Sequence, residues 1–359
     1  MQGTCLVTGG AGFIGCGISA GLVERFGRVA VLDALHPQVH PTRTRPDALA
    51  KEVELVIGDV AEPDVWGSLL AHTRPSVIVH LAAETGTGQS LTESGRHTHV
   101  NLTGTAAMLD ALAQTKHMPD EILLTSSRAV YGEGPWRPRG GGAVVYPGQR
   151  SRTQLASGIW DFPGLQCALS EAADTVPNPV SVYGATKLAQ EHILKAWTTA
   201  FGVGLKVLRL QNVYGPGQSL HNPYTGIVSL FCSAARAGQS IPLYEDGQML
   251  RDFILIDDVV AAILSAIDCG NASGRTLDVG TGKAATIAEI ADVIVRHYGA
   301  PAPNVSGKYR FGDVRHAGCN VLPTESLLGW KAANDLSSGV DALVAWIERQ
   351  LPPEEARRP

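Results

Sequence analysis

The chain has 359 residues and a formal net charge of −5, from 29 Lys and Arg against 34 Asp and Glu, so it lacks the basic excess that holds a phosphate backbone and does not read as a nucleic-acid binder. At 44% hydrophobic and 18% charged it is globular in composition, and no apolar run approaches the roughly 18 residues of a bilayer span, so no membrane passage is expected. Residues Met1 to Val7 pass straight into a strand-like segment without the basic and apolar regions of a secretory signal, which predicts a cytoplasmic location.

Short apolar runs at Thr4–Val7, Val29–Leu32, Val53–Ile57, Val77–Leu81 and Ile122–Thr125 read as strands, with helices between them near 13–26, 63–72 and 93–115. Runs such as Val77-Ile78-Val79 lack polar alternation, which suits strands covered on both faces. The strand–helix–strand repetition predicts an α/β, doubly wound parallel sheet of Rossmann type. Between Gly132 and Val182 the pattern breaks into a Gly-, Pro- and Arg-rich segment with Trp136 and Trp160, read as an inserted loop or flap. A helix from Tyr183 to about Phe201 follows, then strands at Lys206–Leu210, Phe253–Ile256 and Thr276–Val279 that extend the sheet. Beyond Gln211 a smaller, less regular unit is expected, with amphipathic helices near 286–298 and 338–350. The six cysteines are scattered with no CxxC pair, and His36 and His40 have no companion acid or thiol, so neither disulfides nor a metal site is expected.

Three motifs carry chemistry. Thr8-Gly9-Gly10-Ala11-Gly12-Phe13-Ile14-Gly15 joins the first strand to a helix. Gly9 permits the tight turn, Gly12 lets backbone amides approach a pyrophosphate, and Gly15 lets helix and strand pack closely. Asp33 ends the second strand, where a carboxylate accepts from ribose hydroxyls and repels a 2′-phosphate, so the cofactor expected is NAD rather than NADP. Asp59 after the third strand is placed for the adenine edge, and Leu81-Ala82-Ala83 after the fourth for the cofactor's flank. In Tyr183-Gly184-Ala185-Thr186-Lys187 the i, i+4 spacing puts phenol and ammonium on one helix face, so that Lys187 favours the Tyr183 phenolate as a general base. Ser127, at the carboxyl edge of the sheet, is placed to donate to the reacting oxygen.

These motifs, followed by Asn212-Val213-Tyr214-Gly215-Pro216, Arg251-Asp252-Phe253 and Gly312-Asp313-Val314-Arg315, resemble the extended short-chain dehydrogenase/reductase family of NAD-dependent nucleotide-sugar epimerases and dehydratases. The resemblance implies a triad of Ser127, Tyr183 and Lys187, a dinucleotide also touched by Phe13, Ile14, Val60, Asn101 and Thr125, and a sugar diphosphate held by Asn212, Arg251 and Arg315. Thr85, Gly86, Arg128, Asn222 and Tyr224 are further substrate candidates. It also implies an NAD-binding domain at 1–210 with an insertion at about 133–180, completed by 251–285, a nucleotide-sugar-binding domain from 211–250 and 286–350, and a homodimer.

Where the family's 4,6-dehydratases carry an Asp-Glu pair, this chain has Arg128 and Ala129, which disfavours elimination and leaves redox chemistry at carbon 4. Leu35 to His40, Gly86 to Ser90, the long insertion and Asn222 to Gly226 are similar to 4-epimerases acting on dTDP-L-rhamnose, which implies a dTDP-6-deoxyhexose epimerised through a transient 4-keto sugar. The insertion holds only Cys167 where many such relatives have paired cysteines, so no zinc is expected there. Two alternatives stay open: a 4-ketoreductase of a dTDP-4-keto-6-deoxy sugar, and a non-catalytic NAD-binding scaffold.

Overall fold

A computed structural model describes residues 3–115, 117–220, 222 and 226–351. Seven parallel strands form the central sheet. In chain order they begin with β1 (Thr4–Thr8), β2 (Arg28–Asp33), β3 (Glu54–Ile57), β4 (Val77–His80) and β5 (Glu121–Ser127). Two short strands of the insertion, β6 (Trp136–Pro138) and β7 (Leu165–Cys167), come before β8 (Gly204–Leu210), and the seventh sheet strand is Thr276–Val279. The spatial order is Thr276–Val279, β8, β5, β4, β1, β2, β3. The chain winds outward in both directions from β1, and the reversal between β1 and β4 opens a crevice at their carboxyl ends, where such sheets take ligands.

Alternation along each strand separates two cores. Cys5, Val7, Val31, Val79 and Leu123 pack on the side of α1 (Phe13–Arg25) and of the helix Ile256–Asp268. Leu6, Leu32, Ile78, Ile122 and Leu124 face α2 (Pro63–Thr73) and the later helices on the opposite side. Burial on both faces is why these strands are apolar throughout. A third core, with Phe253, Ile290, Ile294 and Leu343, belongs to the smaller unit.

Three expectations change. The helix foreseen over 93–115 is broken into α3 (Ser94–Thr98), a π-turn at His99–Thr103 and α4 (Gly104–Thr115), a local widening of the kind that often marks functional sites. The strand foreseen at Phe253–Ile256 exists, as Leu250–Leu255, but stands outside the central sheet. It pairs in parallel with β9 (Asn212–Tyr214) and antiparallel with Ala284–Thr286. Its buried run looks like any sheet-core strand, and periodicity alone says nothing of which sheet it joins. The insertion, read as a loop or flap, is a packed strap. It contains the antiparallel pair β6–β7 and a short helix, α5 (Arg152–Ala156).

That strap is held by buried charge. Arg150, with none of its side chain exposed, donates through Nε to Glu133 at 3.0 Å and through Nη1 to Glu245 at 2.9 Å, while Nη2 donates to the Asp313 carbonyl at 2.9 Å. Trp136 packs edge-on to Phe162 at 4.9 Å between ring centroids and lies against His316 at 5.1 Å. Among the described residues no helix is long and apolar enough to cross a membrane.

Candidate active site

The turn after β1 is built by glycine geometry. Gly9 has φ 67° and donates to the Leu32 carbonyl at 2.8 Å, and a Cβ on it would lie 2.7 Å from the Ala82 backbone. The end of β4 can approach this turn only because no side chain is there. Gly12 is the N-cap of α1 and offers no side-chain cap, so the helix's first N–H groups stay open to an anion. Phe13 and Ile14 are half-buried beside it, and Phe13 approaches the loop at Gly217. The Asp33 carboxylate accepts from Ala11 N at 3.0 Å and Leu35 N at 2.8 Å, which ties the end of β2 to the Gly-rich turn. An open helix N-terminus, a close-approach turn and a carboxylate at the second strand's end together fit a dinucleotide.

Other residues expected near the cofactor have structural bonds of their own. Asp59 Oδ1 accepts from Ala61 N at 2.9 Å, and the Val60 carbonyl accepts from the Trp66 indole at 2.8 Å. Leu81, Ala82 and Ala83 continue from β4 with Ala82 buried. Thr125 is buried in β5, its hydroxyl 3.5 Å from the His80 carbonyl. Asn101, fully buried in the π-turn, accepts from Glu84 N at 2.7 Å and donates to Thr186 Oγ1 at 2.9 Å. It therefore joins the loop after β4 to the helix α6 (Val182–Phe201). Thr85 is exposed and Gly86 has φ 107°, both in that loop.

Ser127 ends β5 and caps a single 3₁₀ turn, Arg128–Tyr131, by accepting from Ala129 N at 3.1 Å. On the facing element, Ser181 caps α6 by accepting from Gly184 N at 3.0 Å, which fixes Tyr183 in the first turn. The Ser127 hydroxyl faces the Tyr183 phenol across the site. Burial raises the phenol's proton affinity, and Ser127 and the Arg128 guanidinium oppose that rise. Lys187 is almost wholly buried, which pulls its pKa down to about 7 with Glu191 opposing, and its charge is felt at His80. Lys187, the cation that the sequence sets beside Tyr183, follows it by one turn on the same helix.

Arg128 donates from Nε to Asn212 Oδ1 at 2.7 Å. Burial and the nearby Arg251 draw its pKa down to about 9, against Asp313, Tyr183 and Glu133. Arg251 is also buried, with Nη2 donating to the Val314 carbonyl at 2.7 Å and Nη1 to the Leu250 carbonyl at 2.7 Å. Arg128, Asn212 and Arg251 therefore share one end of the crevice with Ser127 and Tyr183. Arg315 departs from the expectation of a diphosphate ligand, because its guanidinium is committed to Asp161 at 2.9 Å, Glu245 at 3.1 Å and Asp246 at 2.6 Å, at 2% exposure. Asn222 accepts from Gln38 Nε2 at 3.0 Å, and Tyr224 lies outside the described residues.

Gln38 and Gln89 lie in two stretches that carry the resemblance, but nothing in the sequence signals their contact, and Arg96 was missed; together they link the loop after β2 to the segment after β4. Gln38 and Gln89 exchange bonds at 3.1 and 3.2 Å, and Arg96 pairs with Glu84 at 2.8 Å. The pairing itself has no local signal, since Gln38 and Gln89 lie 51 residues apart. Among the described residues no cluster of His, Cys, Asp or Glu has the arrangement to hold a metal ion.

The model of the NAD dependent epimerase/dehydratase family matches residues 5–151 and 163–280. The chain is 53% identical to a dTDP-L-rhamnose 4-epimerase of Burkholderia thailandensis, over 96% of this chain and 95% of that one. It also superposes on a UDP-glucose 4-epimerase of Thermotoga maritima solved with UDP-glucose, with a TM-score of 0.79, 25% identity and coverage of 97% of this chain and 100% of the other. A Thermus thermophilus UDP-glucose 4-epimerase in complex with NAD gives a TM-score of 0.74 at 26% identity, with the same coverage of both chains.

Proposed function

Because the chain belongs to the NAD dependent epimerase/dehydratase family, we propose that this NAD-dependent enzyme inverts carbon 4 of a dTDP-6-deoxyhexose, with dTDP-L-rhamnose as substrate, through a transient 4-keto sugar. The observation that carries the reading is the 53% identity to a dTDP-L-rhamnose 4-epimerase, running through nearly the whole of both chains. The replacement of an Asp-Glu pair by Arg128 and Ala129 supports it, since elimination of water needs an extra acid and base.

In this reading Tyr183 takes the proton from the 4-hydroxyl, and Ser127, which faces the phenol, donates to the same substrate oxygen as its charge develops. Bound NAD supplies the hydride acceptor and later the donor. Lys187 holds the cofactor's ribose from the same face of α6. Arg128, Asn212 and Arg251 hold the sugar diphosphate, where planar guanidinium groups suit phosphate oxygens. Arg315 joins them only by giving up carboxylate partners. When the ketone has turned over in the pocket, Tyr183 returns the proton and the centre is inverted with no net redox change.

The residues at 1–210 with 251–285 serve the cofactor in this reading, and those at 211–250 and 286–350 serve the sugar nucleotide. A homodimer working in the cytoplasm completes the proposal, and light scattering tests the subunit count. The reaction itself is tested by incubating the purified protein with dTDP-L-rhamnose, adding no cofactor, and following the sugar by proton NMR. Accumulation of the 4-epimer is expected. A sugar left unchanged even after NAD is added overturns the assignment.

A further inference from the structure

We propose that Gln38, Gln89 and Arg96 form a latch over the cofactor: they join the loop after β2 to the segment after β4 across the Gly-rich turn, so that NAD enters and leaves only when the latch opens. The proposal rests on the reading of this edge as the NAD site.

Topology puts the latch there. β1 lies between β2 and β4 in the sheet, so the ends of β2 and β4 stand about 10 Å apart, two strand spacings, with the Gly-rich turn between them. A dinucleotide that reaches from Asp33 toward Tyr183 has to cross this gap. Side chains bridge the same gap. A backbone turn, in which Val39 N and His40 N both donate to the His36 carbonyl at 2.9 Å, carries Gln38. Gln38 and Gln89 then exchange bonds in both directions, with Gln38 Nε2 donating to Gln89 Oε1 at 3.2 Å and Gln89 Nε2 to Gln38 Oε1 at 3.1 Å.

The bridge is braced from each side. Arg96 Nη2 donates to Gln38 Oε1 at 3.1 Å and to Glu84 at 2.8 Å, and Glu84 is tied through Asn101 to Thr186 of α6. Gln89, at 2% exposure, also donates from Nε2 to Glu93 at 3.0 Å. From the smaller unit, Asn222 accepts from Gln38 Nε2 at 3.0 Å. The loop leading to Asn222 passes the start of α1, where a Cβ on Gly217 would lie 3.7 Å from the Phe13 ring. The single amide of Gln38 therefore joins three segments over the turn. A bond between neutral amides contributes little net in water, which suits a latch that opens and recloses.

The test is exchange of the resident cofactor. Purified holoenzyme is mixed with an excess of radiolabelled NAD, bound label is followed after rapid desalting, and equilibrium dialysis gives the dissociation constant of each variant. Gln38→Ala removes every bond by which Gln38 crosses the gap, and the exchange rate is expected to rise about ten-fold or more, the factor for one or two lost hydrogen bonds. A latch bars entry as well as exit, so the dissociation constant is expected to rise by less than the exchange rate does. Arg96→Met leaves the amide pair and removes its brace, so a smaller rise of the same kind is expected, and it carries the test if Gln38→Ala does not fold. An unmoved exchange rate overturns the proposal. So does a dissociation constant that rises by the same factor as the rate, which is what loss of an ordinary support for bound NAD produces. A native chain that holds no NAD, resident or labelled, overturns the cofactor reading and the latch with it. Neither measurement needs a sugar nucleotide, so failure of the latch is distinct from failure of the substrate assignment, which only the NMR assay reads.

Discussion

The cofactor edge of the central sheet and the seam between the insertion and the smaller unit are both made of buried polar groups, but by opposite means. At the edge, backbone does the work: Gly9 closes on Ala82, Gly15 on Gly10, and Asp33 accepts two main-chain N–H groups. At the seam, side-chain charges do it, through Glu133, Arg150, Glu245 and Arg315 drawn from three distant parts of the chain. The edge spends conformational freedom and keeps its polar groups open to a ligand. The seam pairs its charges internally, Arg150 with Glu133 and Glu245 and Arg315 with Glu245 and Asp246. Arg315, expected to serve a ligand, is held in the seam by Asp161, Glu245 and Asp246.

The largest effect expected falls on the seam. Arg150→Met takes one guanidinium from the buried Glu133 and Glu245, which keep only Arg315, and removing one partner of a buried ion pair costs about 3–5 kcal/mol. Urea unfolding reads that loss. Asp161→Asn removes a carboxylate from the same cluster, but that side chain is 48% exposed, so its loss is expected to stay under about 1 kcal/mol. If both variants lose alike, burial is not what gives the seam its strength.

Next in size is a pH effect behind the catalytic turn. Tyr131 Oη donates to Asp278 at 2.8 Å, and the Arg209 guanidinium lies 4.8 Å over the Tyr131 ring. Burial raises the Asp278 carboxyl to about 7, against about 3.9 in an unfolded chain. The folded state therefore holds the proton more tightly. Its contribution to stability is full below about pH 4, falls as pH rises to 7, and is flat above. At about 1.4 kcal/mol per unit the loss reaches roughly 4 kcal/mol at most. Denaturation measured from pH 4 to 8 is expected to show this slope, and Asp278→Asn to remove it.

At the cofactor edge the next effect comes from glycine packing. An Ala at position 15 puts its Cβ 2.4 Å from the Gly10 backbone, so α1 has to move off the turn. Overpacking of this kind costs about 1–3 kcal/mol, which corresponds to roughly a 5- to 150-fold loss if the strain is relieved by opening the cofactor turn. Calorimetric titration with NAD measures it. Gly88→Ala, which meets nothing within 4 Å, is the control and should bind as the native chain does.

What the sequence made legible follows the same division. The strands β1 to β5, the Gly-rich turn and the Tyr183–Lys187 pair are each specified within a few residues, so spacing alone reveals them. The seam is not local: Arg150 finds Glu245 across 95 residues and Glu133 finds Arg315 across 182. A Gly- and Arg-rich stretch with such partners looks the same as a solvated loop until the partners are brought together. The strand Leu250–Leu255 was visible as a strand, but its sheet depends on β9 turning away at Gln211, which no periodicity encodes. Arg128 was visible as a departure from the dehydratase pattern. The seating of its turn on α6 needed the Gly184 contact, where a motif glycine serves packing and not a phosphate.

The smallest effect expected is the most selective one. The Asp33 carboxylate accepts from Ala11 N through Oδ2 and from Leu35 N through Oδ1, so Asp33 both braces the turn and presents negative charge where β2 ends. Asp33→Asn keeps the size and one acceptor oxygen, while its amide group turns a donor toward the other N–H. Loss of one such bond costs about 0.5–1.5 kcal/mol, so NAD affinity is expected to fall by about ten-fold or less. Loss of the charge removes repulsion from a 2′-phosphate, so affinity for NADP is expected to rise over the native value. The ratio of the two dissociation constants, measured at one salt concentration, separates the roles. A fall for both cofactors by the same factor means that Asp33 acts on the turn alone, and a change in the ratio means that its charge also selects the cofactor.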